Sequence, residues 1–343
     1  MVDFTRVKIL DMVVHRVGNK FKNDGIVISK ENITNPSGRL QEVLLKFFLS
    51  SFKTEQYFKF SKATNLRLNE IYNYATKIFS DNDSLYENSV NILKHLYESS
   101  VHPNIKSGEL YVVLFSNCYI NDEFTDAIGI FKSENKDIYL KVIQQDDSFI
   151  MDFEKGINTN KLDKGCIIFN TEYETGYKVA LVDNSSKSEA MFWKKQFLSL
   201  TDYRDENFHT ANYINICNRF SQEISNNLES KNKFDKIILQ NNILKYFTKN
   251  KEFDLNTFTN AVIRKPEYIE KFIKVKMAYE KENEIETTDR FGISPSVLKK
   301  TIKKFRNHIK LDTNVEIKIN QVEEKELQYI EKGFLMNPKS PDI

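Results

Sequence analysis

The segment from Glu109 to Asp183 constrains the fold most, because it holds six strand-like runs in quick succession. Short polar turns such as SENKD and QQDD separate some of them, and strands joined by so few residues pair as antiparallel neighbours. The six runs are ELYVVLFSNCYI, EFTDAIGIFKS, DIYLKVIQ, SFIMDFEKG, KGCIIFN and GYKVALVD. We therefore predict an antiparallel sheet of about six strands, with helices packed on one of its faces.

The flanking sequence predicts an α+β protein in two domains. Before the sheet, the pattern indicates strands at 7–17 and 25–29 and helices at 40–48, 66–79 and 83–97. The period changes near Asp183, so we predict a mixed domain at 1–185 and a mainly helical domain at 186–343. The second domain is expected to end in one strand without an obvious partner, at 315–320. Its predicted helices span 188–200, 207–228, 234–247, 256–263, 266–281 and 295–309.

Composition excludes several classes of protein. The chain has 343 residues, of which 40% are hydrophobic and 13% aromatic, so it has enough apolar side chains to fold. With only 10 glycines it has neither a P-loop nor a G-x-G-x-x-G motif, which excludes P-loop nucleotide hydrolysis. The N-terminus does not have the pattern of a signal peptide, and no apolar run reaches the length of about 20 residues that spans a bilayer. We predict a cytoplasmic protein with no membrane partner.

Cysteine and histidine residues do not predict a metal or a cofactor. Cys118, Cys166 and Cys217 are far apart and sit among apolar neighbours, so we interpret them as small core residues. His95, Glu98 and His102 have a spacing that could converge on a metal from one helix. Proline at 103 disfavours helical geometry at His102, however, and zinc usually has three or four protein ligands.

Two further features have a functional and a structural interpretation. Asp126 with Glu134-Asn135-Lys136 has the residue types of a restriction-type nuclease, in which carboxylates and a lysine hold a metal at the scissile phosphate. Glu134 and Lys136 fall in a predicted turn, where a surface salt bridge is the simpler interpretation. Trp193, the only tryptophan, is interpreted as a core residue rather than a base-stacking one.

The segment VLKKTIKKFRNHIKLD, residues 297–312, is strongly basic in a chain with a net charge of only +2. On a helix over 295–309, Leu298, Ile302, Phe305 and Ile309 would form an apolar stripe beside a stripe of cations. Ser294 is suited to cap this helix and Pro295 to its first position. Acidic residues at 280–289 and 323–326 offer a structural alternative, since they could neutralise the lysines within the chain. The candidate DNA-binding residues are Lys299, Lys300, Lys303, Lys304, Arg306 and Lys310.

Four stretches of the sequence, in the same order, resemble the bacterial 37-kDa nucleoid-associated proteins of the NdpA and YejK type. They are HRVGN at 15–19, VHPNIKSGEL at 101–110, SEAMFWKKQFL at 188–198 and FGISPSVLKKTIKKFRNHIKLDTNVEIKI at 291–319. The resemblance covers about 5–320 and is clearest in the last stretch. It implies a DNA-binding protein of the bacterial nucleoid with no established enzymatic activity. It supplies no set of DNA-contacting residues, so the candidates above depend on charge pattern alone.

From these observations we expect a non-catalytic protein that binds duplex DNA through backbone phosphates. Lysine predominates over arginine in the basic segment, which predicts weak sequence preference, because bidentate recognition of guanine favours arginine. One alternative is an interaction module whose basic helix docks on an acidic, chromosome-associated protein. A homodimer in which the acidic segment at 280–289 meets the basic one is also open. A metal-dependent nuclease is the remaining alternative.

Overall fold

The computed structural model describes residues 2–53, 56–61, 65–184, 192–226, 232–302, 307–310 and 316–319. Its contacts divide the chain into two compact units, Met1–Tyr203 and Arg204–Ile343. The first unit combines a large antiparallel sheet with helices, and the second is mainly helical, so the predicted α+β class is confirmed. The division falls after residue 203, because residues 192–202 add a helical turn and a strand to the first unit.

The first unit is built on one sheet of nine antiparallel strands. Their order is β11-β4-β10-β9-β6-β5-β1-β2, and β3 also pairs with β1. The predicted antiparallel sheet is confirmed, but it has more than the expected six strands because short segments from both ends of the unit extend it. The strands of this unit are β1 Lys8–Val17, β2 Ile26–Val27, β3 Ile33–Thr34, β4 Tyr57–Phe60, β5 Gly108–Ile120, β6 Glu123–Ser133, β7 Asp137–Gln145, β8 Ser148–Gly156, β9 Lys164–Phe169, β10 Lys178–Asp183 and β11 Leu200–Asp202.

Both faces of the large sheet are buried. Leu110, Val112 and Leu114 of β5 pack into one apolar core, which also holds residues of α2 (Glu70–Ser80), α3 (Leu85–Ser99) and the π-helical turn Phe192–Phe197. The alternating residues of β5 pack into a second core with the end of α1 (Gly38–Leu49). The expectation of helices on one face was therefore wrong. A central strand covered on both sides is continuously apolar, as the run ELYVVLF is, rather than alternating.

Strands β7 and β8 do not join the large sheet and form a separate two-stranded hairpin. Instead, β6 pairs directly with β9, with Lys132 opposite Lys164. The prediction that all six runs belong to one sheet was wrong for these two. Each pairs with the other through nine residues, so their own ladder satisfies the inner backbone groups without the large sheet.

The second unit packs its helices around an aromatic core. Phe220, Phe247, Phe253, Phe258 and Phe272 are all buried there. Its helices are α4 Glu206–Asn226, α5 Asn232–Lys249, α6 Leu255–Phe258, α7 Pro266–Asn283 and α8 Pro295–Ile302, with a π-helical turn at Thr259–Ile263. Two small ribbons accompany them, β12 Glu252–Asp254 with β13 Arg290–Gly292, and β14 Asn307–Lys310 with β15 Glu316–Ile319. The last ribbon supplies the partner that the predicted terminal strand lacked.

Candidate nucleic-acid interface

Helix α8 carries the first part of the basic segment and is fixed at its N-terminus. The Ser294 hydroxyl accepts a hydrogen bond from the Val297 amide at 3.4 Å, so the predicted cap is present. The Ser294 amide in turn donates to Thr210 Oγ1 of α4 at 3.0 Å. Val297 and Leu298 are buried, and Leu298 belongs to the core of the second unit. Lys299 is exposed, so the described part of α8 buries apolar residues and presents a cation to solvent.

The structure places the six candidate DNA-binding residues in three different ways. Lys299 lies on α8 with an exposed side chain, and Lys300 lies on the same helix. Lys303, Lys304 and Arg306 lie outside the described residues. Lys310 is the last residue of strand β14, where it is in register with Glu316. Among the described candidates, the structure therefore brings Lys299 and Lys300 together on one helix and places Lys310 on a strand.

The predicted helix over 295–309 was wrong at its C-terminal end. Among the described residues α8 ends at Ile302, and Asn307–Lys310 is a strand. The stripe from Leu298 to Ile309 therefore does not run along one helix, and Lys310 does not continue the cationic stripe. The sequence carried a signal for this hairpin, because Asp312, Thr313 and Asn314 are turn-forming residues between two runs that can pair.

The acidic residues upstream of α8 have partners elsewhere in the second unit. Lys276 lies 3.0 Å from Glu280 and 3.6 Å from Asp289. Glu286 forms an ion pair with Arg204 at 3.1 Å, and Glu282 forms one with Arg219. These four carboxylates are thus engaged by cations other than Lys299. The acids at 323–326 lie outside the described residues.

The residue types of a nuclease site are not brought together. Asp126 lies near one end of β6 and Glu134 follows its other end, which at the rise of an extended strand separates them by roughly 25 Å. Glu134 is buried between two lysines, with Lys132 Nζ at 2.8 Å and Lys164 Nζ at 3.0 Å. Lys136 pairs with Glu109 at 2.7 Å. Glu134 and Lys136 thus have structural partners, and the separation of Asp126 from Glu134 is too large for both to hold one metal.

The histidines of the sequence analysis also have local partners. His95 Nε2 lies 3.0 Å from the carbonyl oxygen of Phe197, Glu98 pairs with Lys20, and His102 follows the end of α3. Within the part of the chain that the structure describes, no three His, Cys, Asp or Glu side chains are grouped to hold a metal. Cys118, Cys166 and Cys217 are buried free thiols, as predicted for core residues.

Trp193 and its neighbour Lys194 make their contacts within the first unit. Trp193 is fully buried and packs against Phe197, which confirms its interpretation as a core residue. Lys194 lies 2.9 Å from Asp202 and places its ammonium 4.3 Å from the ring centre of Phe58. The ammonium group of Lys194 thus interacts with a carboxylate and an aromatic ring of the same unit.

Two of the four resembling stretches meet in the structure. Asn19, at the end of HRVGN, is fully buried, and its side-chain amide donates to the carbonyl oxygens of His102 at 2.9 Å and Ile105 at 2.6 Å. Both acceptors belong to the VHPNIKSGEL turn. The residues behind the resemblance therefore include a structural contact that fixes this turn.

Comparison with known proteins identifies the family of this chain. The sequence model of the family of the nucleoid-associated protein YejK matches residues 13–338. The chain belongs to this family. The match takes in both units of this YejK-family protein, including the whole basic segment at 297–310. No curated protein matches the chain.

Membership in the YejK family confirms the suspected resemblance and supports a nucleoid-associated role. Among the helices of the described ranges, none combines the length and the apolar character needed to cross a membrane.

Proposed function

We propose that the protein is a non-catalytic DNA-binding protein of the bacterial nucleoid, located in the cytoplasm. The observation that carries this proposal is the orientation of α8, which buries Val297 and Leu298 and leaves Lys299 exposed at the start of the basic segment. Four of the five upstream carboxylates that could have neutralised this segment are paired with other cations. Family membership supports the nucleoid as the place of action.

Backbone phosphates are the proposed contacts. Lysine ammonium groups act as point charges on phosphates, and the segment has five lysines among its six candidate residues. We therefore expect weak sequence preference. If about four phosphates are neutralised, a fourfold rise in salt lowers affinity on the order of a hundredfold, because the logarithmic slope is about −0.9 per phosphate.

Absence of catalysis is part of the proposal. Glu134, one of the two carboxylates that the nuclease hypothesis requires, forms buried ion pairs with Lys132 and Lys164. The other, Asp126, lies at the far end of β6. This separation supports a binding role over metal-dependent cleavage, which brings its carboxylates to a common metal.

The test is binding of a fluorescent duplex of random sequence across a salt series. The test variant replaces Lys299, Lys300, Lys303 and Lys304 by alanine. The matched control removes the same number of positive charges from exposed lysines of the first unit, Lys30, Lys77, Lys94 and Lys161. We expect the test variant to lose both affinity and salt slope, and the control to keep the slope of the wild type.

Three results would contradict this proposal in different ways. Equal binding by the test variant and the wild type would remove the basic segment from the DNA interface. Failure of the wild type to bind would favour the alternative in which the segment docks on an acidic, chromosome-associated protein. Shortening of the duplex only when Mg²⁺ is present would show catalysis.

A further inference from the structure

The hairpin of β7 and β8 exposes its residues on both faces. Every residue of β7 and all of β8 except Gly156 is exposed. Among the described strands these two pair only with each other. An isolated two-stranded hairpin is marginally stable in water unless something packs against it. We therefore expect another surface to pack against this hairpin and stabilise it.

One face of this hairpin is almost entirely apolar. Leu140 lies directly opposite Phe153, and Val142 lies directly opposite Met151. Since side chains alternate between faces along a strand, these four share one face with Ile138 and Phe149. We call these six residues the apolar hairpin face. Their exposed fractions run from 60% to 76%, and they are Ile138, Leu140, Val142, Phe149, Met151 and Phe153.

The opposite face of the hairpin is mixed and largely polar. It carries the cross-strand pairs Lys141 with Asp152 and Tyr139 with Glu154. Ile143 and Ile150 form its one apolar pair, with exposed fractions of 36% and 46%. The hairpin is thus an amphipathic ribbon that offers one face for burial and keeps the other suited to water.

The apolar hairpin face is close in size to one side of a standard protein interface. Large side chains such as Phe present about 150–250 Å² each, so six of somewhat smaller average size that are about two-thirds exposed offer on the order of 700 Å². The largest apolar patch of a typical monomer covers about 300–600 Å². A standard protein interface buries about 800 Å² on each partner. The face therefore exceeds what a monomer usually leaves open and approaches what one side of a dimer needs.

Charge argues against nucleic acid or an anionic membrane as the occupant. Residues 137–156 contain five acidic and two basic side chains, a net charge of −3. Such a segment repels a polyanion. Six of the eight side chains on the apolar side are hydrophobic, the other two being Gln144 and Lys155. This composition matches homodimer interfaces, which are more apolar than transient ones.

We propose that the apolar hairpin face is the interface between two copies of this chain. The two hairpins pack face to face about a two-fold axis, so that each copy contributes the same patch. A patch with hardly any charge is complementary to itself, and stacked sheets place their strands about 10 Å apart with side chains between them. Val142 and Met151 lie at the middle of the hairpin and of this interface. The pairing does not use the basic segment, so it does not depend on the proposed DNA contact.

Molar mass by light scattering, measured over a range of protein concentrations, tests this interface. The wild type is expected to reach twice the 40.3 kDa of one chain. Val142→Lys with Met151→Lys is expected to stay at the monomer mass. Ile143→Lys with Ile150→Lys makes the same change to the next cross-strand pair, on the opposite face, and is expected to dimerise as the wild type does. A monomeric wild type, or a Val142→Lys, Met151→Lys variant that still dimerises, would overturn the proposal.

Disulfide trapping provides a second readout that does not depend on disrupting the hairpin. The native thiols are buried, and burial raises the pKa of Cys118 to about 12, so they give little background reaction. Under mild oxidation Val142→Cys is expected to form covalent dimers, because the two-fold axis brings the two copies of this position close together. Ile143→Cys, on the opposite face, is expected to stay monomeric on a non-reducing gel. Equal trapping of both variants would place the contact elsewhere.

Discussion

Replacing Glu134 by glutamine removes the carboxylate that two buried lysines share. The side chains of Lys132, Glu134 and Lys164 are exposed by only 0%, 4% and 2%. Each carboxylate oxygen of Glu134 faces one ammonium, at 2.8 Å and 3.0 Å. Burial lowers the pKa of Lys132, and the Glu134 carboxylate opposes that shift. Without the carboxylate, two buried cations lose their shared counter-charge.

The expected cost is large because the cluster is shielded from bulk solvent. At an effective dielectric constant of about 20, an ion pair near 3 Å attracts by roughly 5 kcal/mol, and Glu134 makes two such pairs. Part of this attraction offsets the several kcal/mol needed to bury the carboxylate, and a glutamine oxygen keeps part of the hydrogen bonding. We therefore expect Glu134→Gln to lower the free energy of unfolding by about 3–5 kcal/mol.

Urea unfolding followed by tryptophan fluorescence measures this cost, because Trp193 is the only tryptophan and is buried in the first unit. Glu98→Gln is the control. It breaks the ion pair between Glu98 and Lys20, whose side chains are 61% and 41% exposed. Such an exposed pair contributes about 1 kcal/mol at most to the free energy of unfolding.

The single variant Lys132→Met and the double variant Lys132→Met, Glu134→Gln complete a double-mutant cycle. The double variant removes one charge of each sign, so we expect it to lower the free energy of unfolding by about 1–3 kcal/mol less than the sum of the two single variants. If Glu134→Gln lowers the free energy of unfolding no more than Glu98→Gln does, the charges of the cluster do not stabilise the fold as argued from their burial.

Two further predictions concern the same unit. Burial lowers the pKa of His15, whose ring accepts a hydrogen bond from the Ser29 amide at 3.1 Å. As the pH falls, the unfolded chain therefore takes up this proton near pH 6.5, and the folded chain takes it up only at a lower pH. The free energy of unfolding should therefore fall by up to about 1.4 kcal/mol as the pH is lowered from 7.5 to 5.5. His15→Gln should flatten this pH dependence in urea unfolding, and the same pH dependence in the variant as in the wild type would refute the prediction. Gly176 has a φ of +108°, and an added Cβ would lie 2.4 Å from the Phe60 carbonyl oxygen. Gly176→Ala should destabilise the unit by more than Gly25→Ala, which has a positive φ but open space around it; equal midpoints in urea would contradict this.

The sequence predicted which segments form the sheet better than it predicted their partners. The run from Glu109 to Ile120 is apolar at consecutive positions, which fits a strand buried on both faces, but it does not say what covers each face. The runs in β7 and β8 alternate like half-buried strands, and the structure leaves both exposed. Alternation shows that a strand is amphipathic, whereas the surface that covers its apolar face need not belong to the same chain.

At the candidate interface, the sequence predicted the beginning of a helix and missed its end. The serine cap and the proline at the first position are local signals, and both act as expected at α8. The end depends on competition with the strand at Glu316–Ile319, which pairs with Asn307–Lys310. Helical periodicity within 297–309 cannot register a competitor that comes later in the chain.

The pairing of β6 with β9 has a consequence for how this protein can change. Lys132 and Lys164 are neighbours across the sheet, so the chain leaves and re-enters the ladder at almost the same place. Residues 137–156, which lie between them in the chain, form a separate hairpin that the sheet does not need for its own hydrogen bonds. A shorter turn, a longer hairpin or a foreign domain can occupy this position while the core register stays intact. This exposed hairpin is therefore a part of the chain in which descendants can diverge, or engineers can insert, at little cost to the folding of the sheet.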